Sequence, residues 1–152
     1  MKKYLVMFLL VSAVGFAQNL NGYQYAMVPS KFTFLKEENM YNLNLLTKMY
    51  LQKYGFETYY NNETAPDEFV TSNCNKIYID VLENNNMLTT KLKIVVKDCK
   101  GAILATSEEG TSREKEYLVA YNLALRMALD NFGVLKTHKF QPTEKSMGMI
   151  GE

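Results

Sequence analysis

Apolar and polar positions change period several times along the chain. Two-residue alternation marks a strand with one buried face. It runs through Tyr23–Val28, Phe56–Tyr60, Ile77–Leu82, Lys91–Lys97 and Ala102–Thr106. Phe32 and Phe34 extend the first of these stretches past Pro29, which ends the strand or sets a bulge because it has no N–H to donate. Helical spacing takes over from about Asn39 to Tyr54. Leu43, Leu46, Tyr50 and Tyr54 form a stripe there, widened by Met40, Thr47 and Leu51, and Gly55 stands where a left-handed residue closes a helix. A shorter helical turn is expected from Thr64 to Ser72, with Pro66 in its first turn. The last helix is the most regular element. Thr111-Ser112-Arg113-Glu114 spells a capping box, and Tyr117, Tyr121, Ala124, Ala128 and Phe132 follow at helical spacing up to Gly133.

The segment Glu83-Asn84-Asn85-Asn86 separates two strands and predicts a hairpin in which Ile79 faces Ile94. Asp98-Cys99-Lys100-Gly101 is a second turn, so three consecutive strands form an antiparallel meander. The resulting order is β-α-β-(short α)-β-β-β-α. It predicts an α/β (α+β) two-layer sandwich, with two main helices on one face of a mixed sheet of about five strands. The β-α-β start implies a right-handed crossover.

The first residues change the compartment. Lys2 and Lys3 precede the apolar run Tyr4–Val14, and Gly15-Phe16-Ala17 offers small residues for cleavage between Ala17 and Gln18. Counted to Ala17, the apolar stretch has 14 residues, short of the about 20 that span a bilayer. No cysteine stands directly behind it for lipid attachment. The reading is a secretory signal over residues 1–17, a single domain over 18–136 and a flexible tail over 137–152. The product is exported, periplasmic or secreted, soluble and not membrane-spanning. Loss of Lys2 and Lys3 takes the formal charge from +1 to −1, and neither sign points to nucleic acid. Export also makes Cys74 and Cys99 a natural disulfide. Their numbers add to the same sum as the Ile79–Ile94 pair, which places them just past the end of the predicted ladder.

The run VPSKFTFLKEENMYNLNLLTKMYLQKYGF (Val28–Phe56), with LTTKLKIVVKDCKG and SREKEYLVAYNLAL further on, resembles small uncharacterised exported proteins of Gram-negative bacteria. The element order is similar to envelope modules such as the N-terminal domain of the Tol–Pal translocation protein, the curli secretion lipoprotein and the lipoprotein activators of penicillin-binding proteins. The resemblance implies a non-enzymatic role in assembly or scaffolding and carries over no catalytic residue.

Catalytic chemistry finds few candidates. The single histidine, His138, falls in the expected tail and reads as a solvated residue. One histidine and two paired cysteines do not make a typical zinc site, and no phosphate loop or dinucleotide fingerprint occurs. No catalytic, cofactor-binding or metal-binding residue is therefore assigned, and no cofactor. The adjacent carboxylates Glu37/Glu38, Asp67/Glu68 and Glu108/Glu109 point apart, while Asp80 is a strand carboxylate that would pair with Lys93 on the solvent face. Tyr59 and Tyr60 are candidate partner-binding anchors, offered by strand addition along FETYY. The leading expectation is an exported envelope module that binds another protein or envelope component. A small secreted hydrolase or ligand-binding protein using a carboxylate pocket, and a secreted enzyme inhibitor using an exposed rigid loop, are the alternatives.

Overall fold

The computed structural model describes residues 19–65 and 74–141. The Ala17–Gln18 step, most of the expected short helix with Pro66, and the tail beyond Gln141 lie outside the described residues. The strands are β1 (Tyr25–Val28), β2 (Glu57–Tyr60), β3 (Lys76–Glu83), β4 (Thr90–Lys97), β5 (Ile103–Thr106) and β6 (Gly110–Ser112). The helices are α1 (Leu43–Lys53, led in by a 3₁₀ turn at Met40–Asn42), α2 (Tyr117–Asp130) and the short α3 (Gly133–Lys136).

One mixed sheet runs β2-β1-β3-β4-β5, and β6 also pairs with β4. The expected α+β class holds, with one strand more than the alternation showed. β1 is parallel to both neighbours, while β3, β4 and β5 form the antiparallel meander. β5 and β6 lie end to end along the same side of β4, since Leu92 has Glu83 opposite it in β3 and Gly110 opposite it in β6. Ser107 splices the two: its N–H donates to Ile94 O and its hydroxyl accepts from Ile94 N–H, both at 2.8 Å.

The alternation translates directly into burial. Ala26, Val28, Ile77, Ile79, Val81, Leu92, Ile94 and Val96 point into the core and meet Leu43, Leu46 and Leu51 of α1 and Tyr121, Ala124, Leu125, Ala128 and Leu129 of α2. Gly110 lets α2 approach β6, since a Cβ there would overlap the carbonyl oxygen of Ala124. Gly55 closes α1 with φ 94°, as the helix pattern required.

Several local expectations are corrected. Phe32 and Phe34 continue no strand: Leu35 N–H donates to Phe32 O at 3.0 Å in a turn that buries Phe32 completely. The hairpin register is shifted by two residues, with Ile79 opposite Val96. Asn85 Oδ1 accepts from Lys91 N–H and Asn84 N–H donates to Lys91 O, so the loop closes further along β4 than the turn residues suggested. A two-residue slip keeps every side chain on its face. Cys74 and Cys99 still form the disulfide, with a Cα–Cα distance of 5.5 Å. The left-handed backbone at Cys74 (φ 57°) and the turn at Asp98–Gly101 bring them together. The Thr111–Glu114 capping box is not used. Thr111 and Ser112 pair with Lys91 and Thr90 in β6, and α2 starts only at Tyr117. Gly133 opens α3 instead of ending α2.

His138 is the largest correction. It is buried, its Nδ1 lies 2.9 Å from Tyr54 O and its Nε2 lies 2.8 Å from Tyr23 O. Lys139 N–H and Gln141 N–H also bond to Asn21. The segment after α3 is thus fastened across the start of the domain by the imidazole, whose ring N–H donates to a carbonyl, and by the two backbone bonds to Asn21.

Candidate functional site

Three segments meet at one end of the sheet: the irregular stretch before α1, the β3–β4 loop, and the approach to α2. Between them is a cleft of about 720 Å³. Its floor is aromatic. Phe34, Tyr121 and Tyr41 form a run of near-parallel rings with successive centroid separations of 5.9 and 4.9 Å, and the buried Phe32 stacks behind Phe34 at 6.1 Å. Tyr117 adds a tilted ring 6.4 Å from Tyr121.

The backbone makes an unusual path to place Tyr41. Asn39, Tyr41 and Asn42 all have positive φ, at 52°, 57° and 59°. Asparagine tolerates that region; a tyrosine there costs about 1 kcal/mol or more. The conformation is held by Asn122 Nδ2–H donating to Tyr41 O at 2.9 Å, by the Tyr41–Tyr121 stack, and by Asn39 Oδ1 accepting the N–H of Leu45 in the first turn of α1.

Tyr121 is the hub. Its hydroxyl donates to Glu83 Oε2 at 2.5 Å and accepts from Asn85 Nδ2–H at 3.0 Å. Burial, with the Glu83 carboxylate as acceptor and as a nearby negative charge, pushes the phenol up to about 12. At neutral pH it is a fixed hydrogen-bond donor, tying α2 to the root of the β3–β4 loop. The loop is braced further by Asn86 Oδ1, which accepts from Leu88 N–H (3.0 Å) and Thr89 N–H (2.8 Å), and by Asn86 N–H, which donates to Thr89 O. Met87 and Leu88 project from it almost fully into solvent, at 101% and 81% exposure. Lys36, Arg113 and Lys115 line the same cleft as Glu83 and Glu114.

The residues singled out in the sequence fall elsewhere. Register places Tyr59 beside Met27, which in turn faces Tyr78, on the sheet face away from the helices. Tyr60 pairs with the core residue Val28, and Lys48 Nζ lies 4.3 Å above its ring. The two tyrosines therefore cannot anchor one partner from one face. β2 does lie at the sheet edge. Glu57 N–H donates to Gln24 O, just before β1, and Asn61 N–H to Val28 O, so Thr58 and Tyr60 turn their backbone groups outward. Glu63 Oε1 already accepts from Tyr60 N–H and Glu63 N–H donates to Tyr60 O. The Thr58 hydroxyl similarly donates to Phe56 O. Glu63 is itself held by Lys48 at 2.6 Å, and that bond lowers its carboxyl below the usual range. Such self-capping blunts an edge. A shallow groove of about 510 Å³ runs beside it, lined by Lys48, Phe56 and Tyr59 among others.

Asp80 does not line the cleft. It faces Val95, while Lys93 faces Leu82, and Asp80 Oδ1 accepts from Val81 N–H. Among the described residues, no group of three or more His, Cys, Asp or Glu side chains is placed to hold a metal ion. Sequence reasoning missed Phe34, Tyr41, Tyr121, Met87 and Leu88 as a unit. The available signal was Met87-Leu88, two large apolar residues directly after an asparagine-rich turn.

No family model matches the chain, and no curated protein matches it. Among solved structures, a single-substitution variant of the PelC dodecamer from Paraburkholderia phytofirmans is similar in fold, with a TM-score of 0.52 at 10% identity over 80% of this chain and 93% of that one. A second PelC dodecamer structure from the same organism gives 0.49 at 11% identity, over 84% and 96%.

Proposed function

We propose that the protein is a non-enzymatic module of the cell envelope that works by binding another protein there, beginning with further copies of itself. The observation that carries this reading is the outer surface of the helix layer. Leu45 and Met49 of α1 and Leu118, Leu123 and Met127 of α2 are each 42–56% exposed. Leu45 and Met49 stand one turn apart on α1, and Leu123 and Met127 one turn apart on α2, so each helix offers an exposed apolar pair that association would cover. The likeness in fold to a chain that forms a dodecamer supports copies of the same chain as the first occupant. The resemblance to exported proteins and envelope modules supports the location. Light scattering on the purified chain across micromolar concentrations tests it. The expected result is a defined oligomer that Met49→Glu or Leu123→Glu converts to monomer. A monomer at every concentration, unchanged by either substitution, rejects self-association.

Strand addition at β2 is a second reading, favoured by its position at the sheet edge. It requires displacing Glu63 from Tyr60 first.

A further inference from the structure

We infer that His138 is a proton-operated latch: a second proton on its ring tightens the segment after α3 across the start of the domain, and loss of that proton loosens it. The observation that carries this is the pair of carbonyls at the two ends of one imidazole. Nδ1 stands 2.9 Å from Tyr54 O and Nε2 stands 2.8 Å from Tyr23 O. Both are hydrogen-bond distances, and a carbonyl oxygen can only accept. A neutral ring donates to one of them and turns a bare lone pair on the other at the same range. The imidazolium donates to both.

Two further neighbours suit the charged ring. Tyr54 caps the C-terminal end of α1, where the helix carbonyls gather partial negative charge. The face of Phe56 lies against the imidazole, and an aromatic face attracts a cation. Burial opposes the charge, since the residue is 6% exposed. Among the described residues no carboxylate stands within ion-pair distance of the ring. The flanking charges are exposed: Lys53 at the end of α1, Glu57 at the start of β2, and Lys136 and Lys139 on its own segment. Asp98 acts on the phenol of Tyr23, and the Tyr54 phenol is spent on Leu129 O. The two carbonyls are therefore what reads the proton. Because the charged ring makes one bond more in the folded chain, the latch is fullest in acid and weakens as rising pH removes the second proton. Its state sets how firmly the strap that bonds Asn21 through Lys139 N–H and Gln141 N–H lies over the residues before β1. None of this depends on self-association or on the sheet edge.

The test is magnetic resonance on the full chain carrying isotope-labelled histidine. His138 is the only histidine, so both ring-nitrogen signals are its own. The measurement runs from about pH 5 to about pH 8, the range in which histidine changes charge. At the acid end both ring N–H protons should be visible and slow to exchange with water, and at the alkaline end one should be gone. Corrected for the intrinsic rate of each amide, exchange at Lys139 and Gln141 should be about fivefold slower at the acid end. Amides of the β3–β4 ladder should not follow this change. In His138→Phe, which keeps a ring on Phe56, the strap amides should lose their dependence on pH. Faster exchange of the strap in acid would overturn the inference, since the proton would then expel the ring. So would strap protection that is flat with pH, or an equal response in His138→Phe. Should His138→Phe fail to fold, the ring signals and strap amides of the parent chain decide alone.

Discussion

The imidazole of His138 lies flat on the ring of Phe56, with centroids 3.6 Å apart and an interplanar angle of 14°. Its two nitrogens reach the carbonyls of Tyr54, just past α1, and Tyr23, just before β1. One side chain near the end of the described chain thus closes the β1-α1-β2 unit. A neutral ring carries one N–H and can donate to only one of the two carbonyls. His138→Ala removes the stack and both contacts, and urea unfolding should show a loss of about 2–4 kcal/mol. His138→Phe, which keeps a ring on Phe56, should recover part of it.

Tyr121 gives the cleft its own alkaline signature. Its phenol is raised from 10.0 to about 12, so the stabilisation it contributes is complete below about pH 10 and is lost as pH rises through 12. Tyr23, Tyr50, Tyr54 and Tyr60 are also raised, chiefly by burial, and share the alkaline limb. Tyr121→Phe should remove its share of that limb and cost about 1–2 kcal/mol at neutral pH. Amide exchange should then speed up at Asn84–Thr89, with β1 and β2 unchanged.

Glu63 links electrostatics to association. Its bond to Lys48 lowers the carboxyl below its ordinary 4.5. The contribution is present above that value and lost as pH falls through the lower, folded one. The pair is partly exposed, so Glu63→Ala should change unfolding stability by less than about 1 kcal/mol. Its larger effect should be on the sheet edge, where Tyr60 N–H loses its acceptor. Light scattering should detect faster self-association of this variant. No increase over the parent chain would mean that Glu63 does not guard β2.

Gly110→Ala is expected to be among the most damaging single-methyl additions in the fold. The new Cβ meets backbone on α2, at Ala124 O and Ala128 N, and backbone cannot swing away as a flexible side chain would. A loss of more than about 4 kcal/mol is expected, seen as failure to accumulate folded protein. Gly133→Ala, where nothing stands within 4 Å, is the matched control and should be tolerated.

Periodicity made the core legible. Ile77, Ile79, Val81, Leu92, Ile94 and Val96 could be assigned to one face because strand burial repeats every two residues, whatever the register. Register itself was hidden, because it depends on which asparagine of the loop satisfies Lys91, a choice among near-identical neighbours. The capping box misled for a related reason. Thr111 and Ser112 fit a helix start locally, but pairing with β4 and the close approach at Gly110 decide in favour of a strand. The aromatic cleft was illegible because Phe34, Tyr41 and Tyr121 come from distant segments, and Tyr41 depends on a left-handed backbone that no pattern announces. His138 was misplaced because a segment without periodicity can still be pinned by one ring.

The Cys74–Cys99 bond also makes the β3–β4 hairpin a covalent ring, with Met87 and Leu88 at the end away from the disulfide. Exposed tips are where proteases cut first. A cut between Met87 and Leu88 would open the ring without releasing either arm, since each half stays tied through sulfur and through the β3–β4 ladder. The molecule can therefore be cut at this exposed tip and still keep its sheet in one piece.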